Sequence, residues 1–202
     1  MAFEVRASHL PDFPWDRLAP FAERARAHAG GIIDLSVGTP VDAVPASIQQ
    51  ALAAAADAHG YPTTIGTPAL RQAFIDWIAR NHGVTGLSPA SVIPTVGSKE
   101  LVAWLPTLLG LNPRDVIAIP RTAYPTYDVG GRLAGCKVVA ADGVEELARS
   151  YAQAEAAGRQ LSMVWLNSPS NPTGAVTSVE ELRAVVEWAR AHSVLVVSDE
   201  CY

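Results

Sequence analysis

Apolar positions recur along this chain with helical spacing in some stretches and as short continuous runs in others. Pro45 suits the first turn of a helix with Ile48, Leu52 and Ala55 on one face, and the alanine-rich residues 51–58 read as its continuation. Thr67 followed by Pro68 is an N-cap signal, after which Leu70, Phe74, Trp77 and Ile78 recur at i, i+4, i+7 and i+8. A further helix opens at Gly97-Ser98 and runs toward Gly110. Ser178 with Glu181 predicts a capping box ahead of an apolar face of Leu182, Val185, Val186 and Ala189. Between the helices lie apolar runs at 92–96, 116–119, 137–141, 163–166 and 194–197. Several are continuous rather than alternating, which predicts parallel strands covered on both faces. Strands separated by helices mean βαβ units, an α/β fold, and a ligand site at the carboxyl ends of the strands. Ahead of this pattern, residues 1–30 carry Pro11, Pro14 and Pro20 around Phe13, Trp15 and Leu18, an arm suited to docking by its aromatics.

Composition narrows the function classes. An apolar content of 49% over 202 residues is ample for a core. A net charge of −5 argues against nucleic acid or an anionic membrane as partner. Apolar runs stay well below the roughly 20 residues that span a bilayer, and Met1-Ala2-Phe3-Glu4-Val5-Arg6 lacks a signal pattern. The expected location is therefore cytoplasmic. Cys136 and Cys201 share no metal or redox spacing, so both are expected as reduced thiols and no metal site is predicted. Lys99 and Lys137 are the only lysines.

The candidate chemistry sits at the ends of the apolar runs. The run ending at Val197 delivers Asp199, with Tyr202 three residues later. Upstream lies Asn167-Ser168-Pro169-Ser170-Asn171-Pro172-Thr173-Gly174. A carboxylate at a strand end and an amide on a Pro/Gly-shaped turn are what a pyridine cofactor needs, an anion for its ring nitrogen and a donor for its phenolic oxygen. A cap for Asp199 and an ordinary turn for Asn171 are the plainer alternatives. Val96-Gly97-Ser98-Lys99-Glu100 opens a helix, whose N-terminus suits a phosphate; Ser98 as a simple N-cap is the alternative. Tyr124, in Arg121-Thr122-Ala123-Tyr124-Pro125, follows the second run and suits either ring stacking or rim packing. Tyr127 reads as packing in the next helix.

These segments resemble the class I/II aminotransferases of fold type I, which use pyridoxal 5′-phosphate (PLP). Within that family the closest resemblance is to the actinobacterial succinyldiaminopimelate transaminases. It covers residues 34–202 and implies a mostly parallel sheet with helices on both faces. By that resemblance Gly97, Ser98 and Lys99 hold the PLP phosphate, and Tyr124 stacks on the ring. Asn171 and Tyr202 donate to its O3′, and Asp199 pairs with the pyridine nitrogen. Ile33-Asp34-Leu35-Ser36-Val37-Gly38-Thr39-Pro40 places Gly38 beside the substrate carboxylate. Tyr61-Pro62-Thr63-Thr64-Ile65-Gly66-Thr67-Pro68-Ala69-Leu70-Arg71 places Tyr61 across a homodimer, on the partner's PLP phosphate. Leu70 and Arg71 are read as helix packing and surface.

The family's Schiff-base lysine and its two substrate- and phosphate-binding arginines have no counterpart in this sequence, so no catalytic residue is assigned. Lys99 lies beside the phosphate turn, and Lys137 begins a strand without a motif. The expectation is an incomplete chain, truncated before the last strands and the C-terminal small domain and inactive alone. Residues 1–44 form an arm and small-domain segment, and 45–202 form the PLP-binding large domain. The 92–96 strand would then lack neighbours. The resemblance implies amino transfer between glutamate and N-succinyl-2-amino-6-oxopimelate, in lysine and diaminopimelate biosynthesis. Alternatives are an aspartate or aromatic aminotransferase, a PLP-dependent C–S lyase, or a PLP-fold module that binds without catalysis. Arg121 and Arg132 are candidate substrate contacts, with a surface role as the plainer reading.

Overall fold

The computed structural model describes residues 10–12, 15–38 and 40–202. Phe13 and Pro14 of the predicted arm, its first nine residues, and Thr39 lie outside the described residues. The chain forms two compact units, one of Asp12–Thr95 and another containing Val96–Tyr202.

The first unit is helical: α1 (Ala19–Arg26), α2 (Ala46–Ala54) and α3 (Pro68–His82). α3 begins as its sequence dictates, with Thr67 Oγ1 accepting from the Leu70 N–H at 3.2 Å and Pro68 filling a position that needs no donor. It ends at Gly83, whose φ of 67° is the left-handed cap glycine favours. Pro45 stands as the N-cap of α2 rather than inside it, and α2 stops at Ala54, so the predicted helical run to residue 58 is cut short. Arg71 bridges α3 to the turn Pro89–Ser91 by donating to the Pro89 carbonyl at 3.0 Å. None of the described residues of this unit is buried.

The predicted strand at 92–96 is not formed. Ile93 and Val96 are exposed, and the segment joins no ladder among the described residues. A strand exists only where a neighbour completes its backbone hydrogen bonds, and an apolar run without one stays irregular.

The second unit alternates as predicted: α4 (Ser98–Leu108), β1 (Asp115–Ile119), α5 (Thr126–Leu133), β2 (Lys137–Ala140), α6 (Gly143–Ala156), β3 (Gln160–Asn167), α7 (Val179–Ala191) and β4 (Leu195–Asp199). The strands form one parallel sheet in the order β2-β1-β3-β4. Side chains of β1 alternate between two apolar layers, and those of β3 reach both layers with an irregularity at Ser162 where the register shifts. This explains the continuous hydrophobicity of both strands. Val116, Ala118, Leu161 and Val164 pack with Leu147 and Ala154 of α6 and Val185 and Ala189 of α7. Ile117, Met163 and Trp165 pack on the opposite side with Val102 of α4 and Tyr127 of α5. The capping box of α7 is present, with Glu181 N–H donating to Ser178 Oγ at 3.2 Å and Ser178 N–H to Glu181 Oε2 at 3.1 Å. The two layers cover the central strands on both faces, and the sheet's carboxyl edge carries the candidate chemistry.

Candidate functional site

β3 and β4 end side by side, with Asn167 and Asp199 as ladder partners. Asn167 is buried, and its amide ties three pieces of backbone together. Nδ2 donates to the carbonyls of Asp199 at 3.0 Å and Pro169 at 3.2 Å, while Oδ1 accepts from the Asn171 N–H at 2.7 Å. The following turn closes through Gly174 N–H to the Ser170 carbonyl (2.7 Å) and Ser170 N–H to the Ala175 carbonyl (2.9 Å). Gly174 takes a φ of 70°, a conformation that glycine adopts without strain. The turn thereby aims Asn171, whose Nδ2 donates to Tyr202 Oη at 2.9 Å. An amide and a phenol from opposite ends of a 31-residue separation meet there.

Across from them, α4 begins. Gly97 is its N-cap with φ 80° and ψ 146°, and no side chain caps the helix. Ser98 is therefore not the N-cap that its residue type also allowed. Its hydroxyl lies 3.3 Å from the Cys201 thiol, and the first-turn N–H groups present the positive end of the helix. Ser98, Lys99, Tyr124, Asn171, Asp199 and Tyr202 line one cavity of about 150 Å³, together with Tyr127 and Asn167. Tyr124 meets Tyr127 edge-on at 5.8 Å, and Tyr127 stacks on Trp165 at 4.7 Å. Lys137 is exposed at the start of β2. Gly38 and Tyr61 belong to the Asp12–Thr95 unit, where Tyr61 is fully exposed. Arg121 pairs with Glu146 at 2.7 Å and Arg132 with Asp128 at 2.8 Å.

Two residues of this site escaped the sequence reading. Tyr127 is packed in α5 as predicted, but its hydroxyl also donates to Asp199 Oδ2 at 2.6 Å. Asn167 was visible only as the first residue of the turn segment, and its bridging role depends on β3 and β4 being neighbours. Burial first, and then the hydrogen bond to Asp199, push the Tyr127 phenol far above its ordinary range, so it remains a donor. The Ser98 contact pulls the Cys201 thiol down, but the hydrogen bond to Asp199, burial and the Asp199 charge outweigh it, and the thiol is raised. Burial, helped by the charge of Asp115, pushes Cys136 up to about 11. Neither cysteine is poised as a nucleophile. Among the described residues no cluster of His, Cys, Asp or Glu is arranged to hold a metal ion, and no helix is long and apolar enough to cross a membrane.

A helix start, an aromatic, two donors and a carboxylate around one cavity suit a phosphorylated, aromatic, basic ring. The family described as aminotransferase class I and II matches residues 31–202. The chain belongs to that family. A probable aminotransferase of Mycobacterium tuberculosis is 55% identical over 196 residues, covering 97% of this chain and 45% of the relative. The 4-dedimethylamino-4-oxo-anhydrotetracycline transaminase OxyQ of Streptomyces rimosus is 51% identical over 193 residues, covering 96% of this chain and 51% of the relative. Among solved structures, the N-succinyldiaminopimelate aminotransferase of M. tuberculosis matches with a TM-score of 0.80 and 28% identity, over 100% of this chain and 52% of that one. The chain thus spans about half the length of the curated relatives it matches.

Class I and II aminotransferases use PLP. The residues present fit that group on their own chemistry. A backbone cradle with Ser98 and Lys99 suits its phosphate, Tyr124 its face, Asn171 and Tyr202 its phenolic oxygen, and Asp199 its ring nitrogen. Of the two lysines, Lys99 lines the cavity and Lys137 is exposed at the start of β2.

Proposed function

We propose that this chain is the cofactor-holding part of a PLP-dependent aminotransferase. The observation that carries the reading is the convergence of Ser98, Lys99, Tyr124, Asn171, Asp199 and Tyr202 on one cavity at the carboxyl edge of a parallel sheet. When bound, PLP supplies an electron-withdrawing ring for reaction at the substrate's α-carbon. The chain's own residues set that property. Asp199 holds a proton on the ring nitrogen, since an anion within hydrogen-bond distance favours the cationic form, by about 1.4 kcal/mol for each pKa unit. Asn171 and Tyr202 keep the phenolic oxygen anionic by donating to it. The start of α4 anchors the phosphate, and Tyr124 restrains the ring from one face. Gly38 is proposed beside the substrate carboxylate. Tyr61 is proposed to act from the partner subunit of a homodimer. Residues 1–44 are proposed as arm and small-domain segment and 45–202 as large domain, in a cytoplasmic protein.

The proposed reaction is amino transfer between glutamate and N-succinyl-2-amino-6-oxopimelate. The resemblance to a solved N-succinyldiaminopimelate aminotransferase supports it. A second reading has its own support: the higher identity to OxyQ favours transfer to a bulky cyclic oxo substrate. The test is an amino-donor and oxo-acceptor screen on the product of the complete reading frame. The kcat/KM values for the succinylated substrate, aspartate, phenylalanine and a polycyclic ketone are compared under one condition. A site built to bind a distant polar group rejects substrates lacking it by as much as about 10⁴-fold. Aspartate, phenylalanine or the ketone winning by about tenfold would remove the substrate assignment and leave amino transfer standing. No transfer with any pair would remove both.

A further inference from the structure

Asp199 lies at the end of β4, an edge strand of the sheet order, with a side chain free to rotate about two bonds unless something holds it. Tyr127 holds it. Its hydroxyl donates to Oδ2 at 2.6 Å across 72 positions of sequence. The phenol is itself confined by packing. It is fully buried, stacked on Trp165 at 4.7 Å and flanked edge-on by Tyr124 at 5.8 Å. It rides on α5, where the absence of side chains at Gly130 and Gly131 brings the helix close to the α4 backbone and to Val138. Packing alone does not require the hydroxyl. Phenylalanine would fill the same space without desolvating an oxygen, and a buried hydroxyl is tolerated only with a partner. The partner here is the cavity-lining acid.

We propose that Tyr127 is the positioning residue of Asp199. Its hydroxyl, on the Oδ2 side and beside the Cys201 thiol that also meets the carboxylate, orients Asp199 for the cofactor's pyridine nitrogen. The inference rests on the role of Asp199 proposed above. A rigid donor removes the rotational freedom that binding would otherwise have to freeze.

The test is a double-mutant cycle in the product of the complete reading frame, read as the PLP dissociation constant by difference absorbance on apoprotein. Tyr127→Phe is expected to weaken PLP binding about tenfold, the loss of one hydrogen bond to a charged group. In an Asp199→Ala background the same substitution is expected to change it less than about twofold, because the interaction it serves is gone. Equal losses in both backgrounds would show a structural role only and overturn the inference. Unchanged binding in Tyr127→Phe beside weakened binding in Asp199→Ala would overturn it too, while the role of Asp199 stands. Unchanged binding in Asp199→Ala would overturn both. Thermal melts of each apoprotein verify folding. A crystal structure of the unsubstituted protein with PLP gives an independent answer. Asp199 bridging Tyr127 Oη and the ring nitrogen is expected, and a carboxylate turned away from Tyr127 overturns the proposal.

Discussion

Asp199 is the sole carboxylate lining the cavity among the described residues, so the electrostatic character of the site at the β4 end depends on it. Asp199→Ala in the product of the complete reading frame is expected to lower kcat by about 10²–10³-fold, the scale seen when a preorganised charge partner is removed. Part of the PLP binding should persist, because the α4 start and Tyr124 are untouched. A near-normal rate would mean that the carboxylate only caps the strand. Tyr127 offers a pH signature. Its folded-state value is raised, so the neutral phenol is the form the fold accommodates. The stabilisation is fully present below the ordinary tyrosine value of about 10 and is lost as pH climbs beyond it. In a spectrophotometric titration the Tyr127 phenolate is expected to appear only together with loss of the far-UV circular dichroism signal. Its ionisation within the folded chain would contradict the burial. Asp199, Asn171, Tyr202, Ser98 and Lys99 were legible in the sequence because each sits in a short segment whose neighbours announce its geometry. The bond from Tyr127 to Asp199 was not, since nothing local to either residue records that α5 and β4 meet.

Elements explain how those residues are held in place. α4 contains Pro106, which has no N–H to offer the Val102 carbonyl four residues back. That carbonyl and the one of Ala103 lie against Gly130 of α5, where an added Cβ would come within 3.0 Å and 2.8 Å of them. Two effects oppose each other in Gly130→Ala. Alanine gains about 1 kcal/mol in helix propensity. The methyl, however, meets backbone oxygens that cannot rotate away, and forcing helices apart costs about 1–3 kcal/mol. The clash wins, so a lower melting temperature is expected, with weaker PLP binding because α4 and α5 carry Ser98 and Tyr127. A melting temperature equal to or above that of the unsubstituted protein would show that the helices yield. At this scale the sequence reading succeeded where an element is specified by its own residues, as at the Ser178 box and the Thr67 cap. It failed where pairing decides. Residues 92–96 have the composition of a strand, yet composition cannot supply a neighbouring ladder.

At the scale of the molecule, the buried core lies entirely in the Val96–Tyr202 unit among the described residues, while the Asp12–Thr95 unit leaves Ile48, Leu52, Phe74 and Trp77 exposed. Apolar helix faces of this kind mark surfaces that another protein surface covers. The proposed homodimer gives them an occupant and gives exposed Tyr61 a task at the partner's PLP phosphate. Complementation tests the arrangement. Tyr61→Phe subunits are mixed with subunits in which the lysine that links PLP, located first by borohydride reduction of the PLP-loaded protein, is replaced by alanine. With shared sites, each hybrid dimer has one site carrying both lesions and one carrying neither. Activity is then expected to reappear on mixing, and equal mixing with free exchange makes about half of the dimers hybrid. The unmixed Tyr61→Phe protein must first be shown to be severely impaired, and subunit exchange is followed by mass-labelled chains. Demonstrated exchange without recovered activity would place each site within a single subunit.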